Sequence, residues 1–105
     1  MKTIKFMLEY DCSPIWVENE DGELIGNGLP SELATNYELA GLLEEIHETF
    51  DNLYENNDVY FGYHGFSNEL KKRAFFTKVT KAVDLLKLKA ENTYIIQVDV
   101  DEANF

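Results

Sequence analysis

Residues 3–10 alternate, with Ile4, Phe6, Leu8 and Tyr10 on one face and Thr3, Lys5, Met7 and Glu9 on the other, which is the period of a half-buried strand. Residues 11–14 read as a turn and residues 14–19 as a second strand. Glu20-Asp21-Gly22 is a hairpin signal, because Asp-Gly tolerates positive φ, and it leads into a short third run over residues 23–25. Gly26-Asn27-Gly28 ends that run.

The pattern then changes period. Thr35 and Glu38 have the spacing of a capping box, in which hydroxyl and carboxylate satisfy reciprocal free amides at a helix start. Leu39, Leu42, Leu43, Ile46, Phe50, Leu53 and Tyr54 follow at three- and four-residue spacing and gather into one apolar stripe, until Asn56-Asn57 stops the helix. Residues 59–66 form an aromatic strand in which Gly62 and Gly65 suggest a bulge or a close backbone approach. Ser67 is positioned to cap a second helix with Leu70, Phe76, Val79, Val83 and Leu86 facing inward, and residues 94–100 close the chain as a strand.

Two helices with one apolar stripe each are best buried against one face of a sheet. The expected fold is therefore α+β, one compact domain over residues 1–105. It is a two-layer sandwich with a mostly antiparallel sheet of four to five strands, two long helices on one face, and the order β-β-(β)-α-β-α-β. A hydrophobic content of 45% with 13% aromatics fits a packed globule rather than a disordered acidic tail.

Charge adds the most telling feature. Between Lys5 and Lys71 there is no lysine or arginine, while fifteen carboxylates fall in that window; the second helix carries most of the positive charge. Segregated charge of one sign repels itself unless a cationic surface is brought to it. With a net charge of −11 and a pI near 4.4, direct binding of nucleic acid or anionic membrane is disfavoured, and basic proteins are the favoured partners. The apolar run at the start is cut by Glu9 and Asp11, which reads against a signal peptide or membrane span, and the lone Cys12 suits a reducing cytoplasm.

On the first helix, about 100° per residue places Glu44, Glu48, Asp51 and Glu55 opposite the apolar stripe as one acidic strip. Each like-charge pair three or four residues apart costs roughly 0.2–0.5 kcal/mol of helix stability. Such a strip is either a solvated face relieved by the basic second helix or a docking surface for a basic partner. Glu18, Glu20, Asp21 and Glu23 crowd the hairpin and can extend the same field. Trp16, Tyr60, Tyr63 and His64 are candidate anchors amid the acid, since aromatic residues dominate interface hot spots, whereas Phe61 and Phe66 suit core packing.

Catalytic constellations are weak. Glu44-x-x-His47 is half of a di-iron motif without its second copy. Asp99 and Asp101 on one side of the last strand, with Glu102 beyond, could hold a hard cation, but a polar strand face explains them equally well. Cys12 with His47 or His64 matches no known nucleophile setting, and Gly26-Asn27-Gly28 leads to Leu29-Pro30 rather than to a phosphate-binding lysine. No catalytic residue, metal ligand or cofactor is assigned.

The run Ser13-Pro-Ile-Trp-Val-Glu-Asn-Glu-Asp-Gly-Glu-Leu-Ile25, then Asn27-Gly-Leu-Pro30 and an acidic amphipathic helix, resembles small bacterial proteins of the toxin-immunity type. That resemblance implies a compact cytosolic protein that neutralises a cognate toxin domain, often a basic nuclease, by masking its active site or a neighbouring surface. The expectation is a non-enzymatic inhibitor of a basic toxin domain. Alternatives are a phage-type nucleic-acid mimic that blocks a DNA-binding defence protein, and a small metal-dependent enzyme built on Asp99 and Asp101.

Overall fold

The computed structural model describes residues 1–57 and 59–105; Asp58, one of the fifteen carboxylates counted above, lies outside the described residues. The elements are β1 (Lys2–Phe6), β2 (Ile15–Glu18), β3 (Leu24–Asn27), α1 (Tyr37–Asp51), β4 (Tyr54–Asn56), β5 (Phe61–Tyr63), α2 (Glu69–Ala90) and β6 (Tyr94–Val98), with a 3-10 turn at Glu102–Asn104. The α+β class and the order of elements are as expected. Four strands form one sheet in the order β3-β2-β1-β6, and β4 with β5 forms a separate ribbon. β1 is antiparallel to β2, with Phe6 opposite Ile15, and parallel to β6, with Ile4 opposite Ile96.

Alternation decides which face is covered. Ile4, Phe6, Ile15 and Val17 meet Leu39, Leu43, Ile46 and Phe50 of α1 and the stripe from Phe75 to Ala90 of α2 in one buried cluster. Ile4, Phe6, Ile15, Leu39, Ile46 and Leu86 are fully buried, and burying each such side chain contributes about 1.5–3 kcal/mol. The opposite sheet face stays uncovered by helix and is laced by Lys5, which lies 3.3 Å from Glu18 and 3.9 Å from Asp99.

Several boundaries differ from the sequence expectation, each for a local reason. β1 ends at Phe6 rather than residue 10, because Asp11 takes φ 57° and Tyr10 turns aside to pack on Tyr54 and Phe61. The cap of α1 is Asn36, not Thr35: its Oδ1 accepts the Leu39 amide at 3.0 Å, and asparagine is the stronger cap of the two. Likewise Asn68 rather than Ser67 caps α2, accepting the Lys71 amide at 2.9 Å. Helix α1 stops at Asp51 with Asn52 as its C-cap, so Leu53 and Tyr54 continue the apolar stripe from a hairpin instead of a helix.

The aromatic strand expected over residues 59–66 is shorter and pairs with β4, outside the main sheet. Leu70, expected to face inward, is 76% exposed, with Phe75 and Ala82 buried instead. It lies nine residues before Val79, about two and a half turns, which puts it on the opposite side of the helix.

The ring of Tyr94 is buried while its hydroxyl donates to the exposed carboxylate of Glu32. That bond, then burial, pushes the Tyr94 phenol up to about 12. The same bond, with Glu32's own backbone amide, holds the Glu32 carboxyl below the usual carboxylate range. The fold thus favours a neutral phenol and an ionised carboxylate. The tyrosine contribution is complete below its unfolded pKa of about 10 and is lost as the pH rises toward 12; the glutamate contribution is present above its unfolded pKa and is lost as the pH falls through its lowered one. Three outcomes are expected by denaturant titration. Asn36→Ala loses about 1 kcal/mol, while Thr35→Ala changes stability by no more than about 0.5 kcal/mol. Tyr94→Phe falls less steeply in stability than the parent between about pH 9.5 and 11.5.

Candidate functional site

Helix α1 buries Leu39, Leu43, Ile46 and Phe50, so its geometry turns Glu44 and Glu48 outward, and both are exposed. α2 lies along one flank of α1, where Lys78 sits 3.2 Å from Glu45 and Lys81 3.8 Å from Glu38. These lysines neutralise the flank and leave the outer strip alone: among the described residues neither Glu44 nor Glu48 has an ion-pair partner. Asp51 at the end of the strip pairs with His47 at 3.1 Å and accepts the Asp11 amide at 2.9 Å. No basic residue stands in the last turn of α1. Glu48 and Asp51 therefore face the negative end of the helix dipole, an arrangement that costs stability.

The expected fourth member, Glu55, is not on the helix but on β4, exposed and opposite Gly62 of β5. The ribbon that carries it is tied to the end of the strip through the turn before β2. Tyr10 packs against Tyr54 and Phe61, both at 5.0 Å between ring centres, and its hydroxyl accepts from Asn56 at 3.3 Å. Tyr54 stacks on Phe61 and contacts Tyr63 edge-on, so one ribbon face is a block of rings. On the other face the ring of Tyr60 lies over Gly62 and fills the space that a Cβ would need. Val59 is 92% exposed, Tyr60 53%, Phe61 54% and Tyr63 43%. Phe61, expected in the core, is instead part of this uncovered aromatic surface. The distinguishing signal in the sequence is the short link over residues 57–60, which favours a hairpin folding back on β4 over a strand joining the sheet.

A family model described as Serratia CdiI immunity protein-like matches residues 2–99. The chain belongs to that family. No curated protein matches it. As a member of an immunity-protein family it acts as an inhibitor, and its partner is a cognate toxin protein.

The remaining candidate residues of this immunity protein are dispersed. Trp16 lies on the uncovered sheet face, away from α1, and its indole donates to the Met7 carbonyl at 3.0 Å. Glu18 is half-buried in its pair with Lys5. Glu20 and Asp21 are exposed in the β2–β3 turn, where Asn19 receives the Asp21 amide at 2.9 Å. That turn follows the Thr3–Glu18 end of the sheet, whereas Asp11 and the ribbon lie beyond the Phe6–Ile15 end. The two acidic groups do not merge. His64 is exposed at the foot of the ribbon, its Nδ1 3.0 Å from the Gly65 carbonyl.

The immunity protein's catalytic-type residues are engaged in internal contacts. Asp99 accepts the Gln97 amide at 3.1 Å and Asp101 caps the 3-10 turn at 2.9 Å. Sequence reading did not foresee that Asp11, His47 and Asp51 bring ligand-type atoms within 4.8 Å of one another; here the Asp51 carboxylate meets the His47 ring at 3.1 Å and accepts the backbone amide of Asp11 at 2.9 Å. Beside them, burial and then Glu9, Asp11 and Asp51 push the Cys12 thiol above its ordinary range, suppressing the thiolate that nucleophilic chemistry needs. Cys12 should therefore react with a disulfide reagent at pH 8 several-fold more slowly than free cysteine, and Asp11→Asn with Asp51→Asn should accelerate it. A rate equal to that of the free amino acid would contradict this electrostatic account.

Proposed function

We propose that this immunity protein neutralises a basic toxin domain, a nuclease, by binding without catalysis through Glu44, Glu48 and Asp51 of α1 together with Glu55, Tyr60, Phe61 and Tyr63 of the ribbon. One observation carries the reading: an acidic strip that the protein's own lysines do not neutralise runs, through Asp51, Asp11 and Tyr10, into exposed aromatic rings. The carboxylates steer a cationic partner and raise the rate of encounter. They would then occupy positions that substrate phosphates or flanking counterions hold in the free toxin. The rings supply the desolvated contact area in which binding energy concentrates.

The placement of charge supports a partner better than it supports stability. A lysine reaching the outer face would relieve the strip, yet Lys78 and Lys81 of α2 reach only the flank of α1 where the two helices meet. On this reading the protein acts in the cytoplasm, where the toxin would meet its nucleic-acid substrate. Among the described residues no helix is long and apolar enough to cross a membrane.

With the purified cognate toxin domain, Glu48→Lys combined with Asp51→Lys should weaken binding tenfold or more, about 1.4 kcal/mol, with unchanged circular dichroism. Unaltered affinity would remove the strip from the interface. Tyr60→Ala should cost about 2 kcal/mol or more if this ring is a hot spot. The toxin alone should degrade nucleic acid, and equimolar immunity protein should stop it; a toxin without that activity would end the nuclease assignment while leaving the inhibitor role intact.

A further inference from the structure

A second feature lies on the flank of α1 that faces α2. A cleft of about 460 Å³ opens between the end of α1, the foot of the ribbon and the first turns of α2, a size in the range of small-ligand sites. Its floor is apolar: Leu53 and Phe75 are buried, and Phe66 packs on Phe75 with ring centres 5.3 Å apart. Its rim carries Lys71, Lys78 and His64. In a chain with a net charge of −11 and no lysine or arginine between Lys5 and Lys71, the two lysines beside a concave apolar surface run against the prevailing field.

We propose that this cleft is a binding site for a small organic carboxylate with an aromatic or branched apolar body. Lys78 is drawn partly toward Glu45 at 3.2 Å, but Lys71 has no ion-pair partner among the described residues and is exposed at the opening. The start of α2, a helix of 22 residues, adds the partial positive charge of its N-terminal end on the same side. The wall is fixed: the amides of His64 and Gly65 both donate to the Leu53 carbonyl, at 2.7 and 3.2 Å, and Gly65 takes φ 76° to make that turn. A bare inorganic anion would meet the lysines and leave the floor uncovered. An uncharged apolar compound would cover the floor and leave the lysines unused. A carboxylate on an apolar body satisfies both.

The test is a titration of the full isotope-labelled chain with phenylacetate, followed by amide chemical shifts, with phenylacetamide as the isosteric neutral control. Saturable shifts at Leu53, His64, Gly65, Lys71 and Ala74 are expected for the acid, with the amide binding about fivefold more weakly, the scale of one exposed charge contact. Lys71→Glu should weaken the acid by about fivefold or more, whereas Lys87→Glu, which changes net charge equally at the far end of α2, should not. Linear, non-saturating shifts, equal affinity for the acid and the amide, or equal effects of the two lysine variants would each overturn the assignment. The outcome is independent of whether the strip and ribbon bind a toxin.

Discussion

Burial of one helix stripe fixes the character of the whole surface. Leu39, Leu43, Ile46 and Phe50 are locked between the sheet and α2, and at about 100° per residue that leaves no freedom in where Glu44 and Glu48 point. The contact that supplies much of the folding energy is therefore the one that presents the acid. A change that rotated α1 to soften its field would bring carboxylates toward Ile4 and Phe6, at a desolvation cost far above any relief of surface repulsion.

The lysines of α2 show how the repulsion is divided. Lys78 and Lys81 reach Glu45 and Glu38 because those residues lie on the flank where the helices meet. Glu44 and Glu48 face away and stay unneutralised, with Glu48 close to the negative end of the helix. Exposed pairs of this kind contribute little individually, so their main effect is on the shape of the electrostatic field. One flank of α1 is quenched and the other is left strongly negative, with the lysine-rimmed cleft beyond the quenched side.

Tyr10 joins this field to the aromatic ribbon. It lies beyond the end of β1 beside the Asp11 turn, where the Asp11 amide bonds to Asp51, and its ring fills the space beside Tyr54 and Phe61. A two-stranded ribbon is marginal alone. Here the packing of Tyr54 on Phe50 and the buried Leu53 anchor it to the core. This anchoring allows Val59, Tyr60 and Phe61 to remain exposed without the ribbon collapsing onto the sheet.

By itself the sequence determined the α+β class, the order of elements and the covered face of each main element, because those follow from local period and burial alone. It also determined that Glu44 and Glu48 share one outer face, since that is a property of a single helix. Only the tertiary structure decided that β6 pairs in parallel with β1, that the aromatic strand leaves the sheet for β4, and that Glu55 belongs to a ribbon. It also decided that Trp16 and Glu18 lie on the far side of the sheet. Each of these depends on which distant segments meet, and periodicity carries no term for that. The same holds for the lysines: their sequence positions predict a basic helix face, but only packing shows that they meet Glu38 and Glu45 rather than the strip.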